Sequence, residues 1–283
     1  MTETKQTTPP PVDGPKEIAV PSKGRVLIER IARWSRRIAL ALAAILPLFF
    51  IIAALGTRWG WWDVNVGIKL LPASVGVKLI ALTLCAGVIS LLLTLLCRRK
   101  AKGIFVSALA ILIPVGALVS LGAVKSKFER LPAIHDITTD TQNVPTFSKT
   151  IMDLRAQTKG VNSVEYVGKK DQRDAELYSV LQTRAYPQIR PLVLSAKPEQ
   201  AFGQALATAS QSGWTIHTED IEAGVIEATD TSFWYGFKDD IVIRIHAGEG
   251  GGTIIDIRSV SRVGQSDLGA NAARILEFIK SLK

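Results

Sequence analysis

The strongest candidate for a chemical site is the run Arg258, Ser259, Ser261 and Arg262, which leads into Ser266 and Asp267 at what reads as a helix start. Guanidinium groups beside the free N–H groups of a helix N-terminus could hold a phosphate, a carboxylate or a lipid headgroup. The competing reading is structural. Ser266 caps the helix, and the arginines pair with Asp256, Asp239 or Asp240, as enclosed arginines usually do with protein carboxylates. Asn271 and Arg274 follow Asp267 by four and seven residues and share its helical face. They either extend a polar pocket or form the solvated side of the helix. The candidate ligand- or partner-binding residues are therefore Arg258, Arg262, Asp267, Asn271 and Asp240.

Other reactive side chains are harder to assemble. Asp239 and Asp240 are adjacent, so on a strand they face opposite ways, which suits paired acid–base work poorly. His135, His217 and His246 are scattered, with no spacing that fits zinc, and no catalytic or metal-ligating set is expected. Ser259 and Ser261 lack a nucleophile elbow. The glycine run at 248–252 lacks the ending of a phosphate loop and reads as a hairpin, so no cofactor is expected. Phe233, Trp234, Tyr235 and Phe237 cluster beside a turn, where they could meet a partner, the membrane interface or the edge of the core.

The elements that must carry these residues fall into two regions. Residues 1–130 hold 18 Lys/Arg against 6 Asp/Glu, and residues 131–283 hold 16 against 19. The basic excess thus belongs to the N-terminal part. A slightly acidic C-terminal domain excludes a nucleic-acid partner, whose phosphates demand a basic surface. Uncharged apolar runs at 38–55, 79–97 and 103–124 are long enough to span a bilayer. Pro47 and Pro114 lie inside the first and third, which suggests kinks. A cleaved signal peptide is disfavoured, because the polar stretch before the first run is long.

The cations flanking the runs set an expected orientation. Lys23, Arg25, Arg30, Arg33, Arg36 and Arg37 precede the first run, and Arg98, Arg99, Lys100 and Lys102 join the second to the third. Both should face the cytoplasm. The first connecting loop carries only Arg58, Lys69 and Lys78 with Asp63, and its Trp59, Trp61 and Trp62 look like an interfacial belt. Three crossings then put the C-terminal domain outside. The expected location is a bacterial inner membrane, multi-pass, with a cytoplasmic N-terminus and a periplasmic domain. The Pro-rich stretch at 1–22 reads as a disordered tail within a basic segment 1–37. Cys85 and Cys97 both fall in the second run, so the soluble domain must fold without disulfides.

The soluble part begins with an irregular lead-in through residue 175. A strand at 191–195, a helix opened by Pro198, strands at 214–218 and 224–229, a long hairpin and a final helix follow. In the first of these helices Ala201, Phe202, Ala205, Leu206 and Ala209 form the apolar face. In the last, Leu268, Ala272, Ile275, Ile279 and Leu282 do. Ile241, Ile243 and Ile245 alternate with Val242, Arg244 and His246 as a half-buried strand. The order predicts an α+β fold, in which three transmembrane helices over 38–124 precede an antiparallel-sheet domain over 131–283 with helices packed on one face.

Three separated stretches give the domain a family likeness: His135-Asp136-Ile137-Thr138-Thr139-Asp140, Gly236-Phe237-Lys238-Asp239-Asp240, and the run from Arg258 through Asn271. In this order they resemble the bacterial and plastid family called domain of unknown function 1499, over residues 131–283. The resemblance implies an architecture and names no activity. A fainter, fold-level likeness links the Ala/Phe-rich helix, Gly-Trp and hairpin to the helix-grip domains of an outer-membrane assembly lipoprotein. The expected role is therefore non-enzymatic: an extracytoplasmic binding or assembly module for an envelope protein or lipid, held on the bilayer. The alternative is a membrane-anchored hydrolase using His135, Asp136 and the Asp239/Asp240 turn.

Overall fold

The computed structural model describes residues 23–97 and 101–283. The expected tail at 1–22 and Arg98-Arg99-Lys100 lie outside the described residues. The apolar runs fall on three helices, α1 (Lys23–Arg58), α2 (Val77–Leu96) and α3 (Ala101–Arg130), with Cys97 of the second run just beyond α2. The cations from Lys23 to Arg37 therefore lie on α1 itself. The first connection is shorter than expected. Asn65–Gly76 forms a π-helical segment that runs into α2, so Lys69 and Lys78 are helical and only a short Trp-rich turn remains. Pro72 lies within that segment, and its missing N–H removes one bond from the helical ladder there. Among the described residues, three helices, counting Asn65–Leu96 as one, are long and apolar enough to cross a membrane.

The described residues pack as two units: those up to Ile45 with those of Ala81–Pro114, and Leu46–Ile80 with Val115–Lys283. In the first, small residues let helices approach closely. Ala39, Ala43 and Ala110 are fully buried together, and a side chain on Gly87 would meet the backbone of Ala110. Ser90 and Ser107 share a buried hydrogen bond of 2.9 Å, and Arg36 donates to Thr94 at 3.1 Å.

The second unit holds a six-stranded antiparallel sheet. Its strands are β1 (Asp136–Thr138), β2 (Leu192–Leu194), β3 (Thr215–Asp220), β4 (Val225–Thr231), β5 (Lys238–Ala247) and β6 (Thr253–Ser261). The order is β1-β6-β5-β4-β3, and β2 pairs with the other half of the same edge of β6. Four helices accompany it: α4 (Lys149–Ala156), α5 (Tyr178–Ala185), α6 (Pro198–Gln211) and α7 (Ala270–Ser281). The fold is α+β, with the two long helices α6 and α7 on one sheet face.

Strand alternation divides the sheet chemically. One face presents Ile137, Ile226, Ala228, Ile241, Ile243, Ile245, Ile255 and Ile257 to Ala201, Phe202 and Ala205 of α6 and to Ala272, Ile275 and Phe278 of α7. Burying each large aliphatic side chain contributes roughly 1.5–3 kcal/mol. Trp214 stacks on Phe278 with ring centres 5.5 Å apart. Phe278 thus joins the α7 face, whereas Leu268 precedes the helix with a positive φ of 53°. The expected half-buried β5 is buried on both sides from Asp239 to Ile243, Val242 included. The cause is the lead-in, which folds back with α4 over the second sheet face.

Gly224 precedes β4 with φ +65°, and its carbonyl accepts the Ile245 N–H at 2.7 Å. A Cβ there would lie 2.0 Å from the Ile245 oxygen. Gly224→Ala should therefore cost roughly 2 kcal/mol, combining left-handed strain with a forced backbone shift. Urea unfolding of the full chain in micelles would read this as a lower midpoint at unchanged slope.

Candidate functional site

The sheet face beneath the lead-in is polar and almost entirely enclosed. Four carboxylates of the face (Asp136, Glu227, Asp240, Asp256) meet four guanidinium groups, from Arg244, Arg258 and Arg262 and from Arg155 of α4. Asp240, fully buried at the centre, takes Arg155 from α4 and Arg262 from the end of β6, each at 2.7 Å. Thr229 donates to the same carboxylate at 2.8 Å. Burial pulls the Arg155 guanidinium below its ordinary pKa, and the Asp240 charge opposes that.

Arg258 clasps Asp136 with two parallel bonds of 2.9 and 2.8 Å, donates to Pro145 O, and lies over the rings of Phe147 and Tyr166. Arg244 joins Asp256 at 2.7 Å and the Asn143 carbonyl at 2.8 Å. Glu227 accepts from Thr218 Oγ1 and from the Ser148 N–H, each at 2.6 Å, so a carboxylate faces the first turn of α4. Among the described residues, no buried side-chain nitrogen or oxygen lacks a hydrogen-bond partner.

The opposite face is polar only near α7. Asn271, fully buried, accepts from Ser259 at 2.7 Å and donates to Ser261 Oγ and the His135 carbonyl. Arg274 reaches Asp230 and Asp239, each at 2.7 Å. Asn271 and Arg274 are therefore inward and paired, not a solvated side. Ser266 does not cap α7. Asp267 does so, accepting the Gly269 and Asn271 N–H groups at 2.8 Å, because Leu268 and Gly269 turn left-handed and swing the chain around its carboxylate. Burial pushes the Asp267 pKa up, against those two N–H groups. Asp267→Ala should cost about 1 kcal/mol as a lost cap, seen as a lower thermal midpoint.

The five candidate residues accordingly do not converge on one ligand surface. Arg258, Arg262 and Asp240 lie on the lead-in face, whereas Asn271 and Asp267 meet α7. Period-two alternation along β6 already implied this, since Ser259 and Ser261 must point away from Arg258 and Arg262. Of the pairings expected, Arg262 with Asp240 is present. Asp256 instead takes Arg244, and Asp239 takes Arg274. Asp239 and Asp240 sit within β5, not in a turn.

One further cluster had no sequence signal. His135, buried beside the start of β1, meets Lys169 Nζ through Nε2 at 3.1 Å and Tyr178 Oη through Nδ1 at 3.2 Å. The ammonium can only donate, so Nε2 accepts and Nδ1 carries the proton, within 3.3 Å of Gln265 O. Burial, then the Lys169 charge, lowers the His135 pKa from 6.5 to about 4. The ring is neutral at physiological pH. Its hydrogen bonds do not reach Asp239 or Asp240, which are held by arginines.

An open groove of about 750 Å³ lies elsewhere, lined by Val193 and Ser195 at β2, by His246, and by the glycine hairpin through Gly252. It contains none of the candidate residues.

Sheet, helices and polar interior define a class: an α+β domain following three helices long enough to cross a membrane. The family described as protein of unknown function (DUF1499) matches residues 136–282, and the chain belongs to that family. Comparison with curated proteins gave no match.

Proposed function

We propose that the three helices cross a bacterial inner membrane with the N-terminus in the cytoplasm. The domain at 131–283 then stands in the periplasm as a non-enzymatic binding or assembly module for an envelope protein or lipid. One observation carries the non-enzymatic reading: the domain's acids and arginines that could do chemistry satisfy one another beneath the lead-in. A catalytic acid or base must reach a substrate proton, and Asp136 and Asp240 are fully buried on arginines. One open surface is the groove at β2, where Val193 is 68% exposed.

A photo-crosslinking side chain at Val193, in the full chain in intact membranes, tests the module. A discrete adduct, lost when the label moves to buried Ile243, is the expected result. Hydrolysis of an ester or peptide substrate that disappears in His135→Ala would replace this reading with the hydrolase. Orientation is tested separately by a reporter fused after Lys283 that is active only outside the cytoplasm. An inactive reporter on a fully expressed fusion would invert the topology.

A further inference from the structure

The β4–β5 turn is built against the end of α1. Arg58, the last residue of α1, donates through Nη1 to Ser232 O at 2.8 Å and Phe233 O at 2.7 Å, and its guanidinium lies 5.6 Å from the centre of the Phe233 ring. Gly236, with φ +68°, leaves room for that approach, since a Cβ there would come within 3.2 Å of the Arg58 backbone. The turn also supports itself. Ser232 N–H donates to Phe237 O, Gly236 N–H returns to Ser232 O, and Phe237 N–H reaches Ser232 Oγ.

What this turn presents is aromatic and uncovered. Phe233 is 69% exposed and Trp234 52%, with their rings edge to face. Directly after Arg58 come Trp59 and Trp61, at 58% and 61% exposure, in contact with each other. Below Arg58 the exposed side chains of α1 are aliphatic: Leu48, Ile51 and Ile52. A second tie holds the domain to a helix end. Arg173 donates to the Phe128 and Leu131 carbonyls at the end of α3 and lies over the Phe128 ring.

We propose that the β4–β5 turn is a membrane-seating element, with Phe233 and Trp234 inserted beside Trp59 and Trp61 in the interfacial zone of the bilayer. The occupant follows from continuity. The exposed aliphatic surface of α1 ends at Arg58, and aromatic side chains favour the headgroup level at such a boundary. Trp adds an N–H that headgroup oxygens and water satisfy while its ring lies among acyl chains. Arg58 bonds backbone carbonyls, so the turn is held at that depth by main-chain geometry. Through this turn the domain lies against the bilayer, which orients the rest of its surface. The proposal rests on the reading that the helices span the membrane, and it holds for either orientation of the domain.

The test places single cysteines carrying an environment-sensitive fluorophore in the full chain, with Cys85→Ser and Cys97→Ser, reconstituted into phosphatidylcholine/phosphatidylglycerol vesicles. Trp234→Cys is the test position. Leu112→Cys, 64% exposed on α3, reports on spanning, and Glu249→Cys lies at the far end of the ten-residue β5, about 30 Å from the turn. The label at 234 should be quenched by lipids spin-labelled high on the acyl chain more than by those labelled deep. It should also resist iodide several-fold better than the label at 249. Lipid quenching at 112 without any at 234 would overturn the seating element alone. Iodide protection at 234 without lipid quenching would mean that protein covers it, and would equally overturn the proposal. Absence of lipid quenching at 112 would remove the spanning reading beneath it.

Discussion

Asp240→Ala should destabilise the domain by about 3–5 kcal/mol, the range for removing one partner from a buried ion cluster. Asp240 is fully buried, and both of its arginines, Arg155 and Arg262, are at most 5% exposed. The substitution leaves two guanidinium charges enclosed, with Thr229 Oγ1 deprived of its acceptor. Arg155 would retain Asn162 O and Arg262 would retain Leu154 O, but carbonyl dipoles do not neutralise two cations. Urea unfolding of the full chain in micelles measures the loss. A triple variant, Asp240→Leu with Arg155→Met and Arg262→Met, should recover most of it, because an apolar replacement of a whole buried cluster removes the desolvation penalty together with the attraction. A loss below about 1 kcal/mol for Asp240→Ala would mean that water reaches the cluster and that α4 does not seal this face.

The second large effect is a pH dependence. His135 is neutral in the fold, with its pKa lowered from 6.5 to about 4 by burial first and the Lys169 charge second. In the unfolded chain the ring takes up a proton near its ordinary pKa, so below it the unfolded state binds more protons. The stability from a neutral His135 is complete above about pH 6.5 and is lost as pH falls through about 4, amounting to roughly 3 kcal/mol over that interval. Two further charges, those of Asp136 and Arg155, also act on the ring. The measurement is therefore the difference between wild type and His135→Gln, whose amide oxygen can still accept from Lys169. The wild-type stability should fall more steeply than the variant's between pH 6.5 and 4. Parallel curves would mean that the ring is already solvated in the fold.

These two results concern the same design feature. The lead-in brings Arg155 and Lys169, and α5 brings Tyr178, to residues on or beside the sheet, and removal of the lead-in would expose a layer of opposed charges. Sequence pattern announces neither partner. Residues 141–175 lack periodicity because a segment lying across a polar sheet face has no continuous apolar stripe to bury, so α4 left no trace in the hydrophobic pattern. Their contacts span long separations, as with Arg155 and Asp240 at 85 residues or Arg258 and Asp136 at 122.

What the sequence determined by itself was whatever repeats at short range. Three uncharged runs of membrane length gave the helices, the Ala201–Ala209 spacing gave the buried face of α6, and the isoleucines at 241, 243 and 245 placed one face of β5 in the core. The three family stretches were legible for the same reason, since each is a local string. Tertiary structure decided where the charges go. Arg258 and Arg262 could have faced a ligand or a carboxylate, and only the closure of the lead-in over β6 commits them to Asp136 and Asp240. A charge's meaning depends on what encloses it, because the same guanidinium is a binding group in water and a structural one when desolvated against an acid.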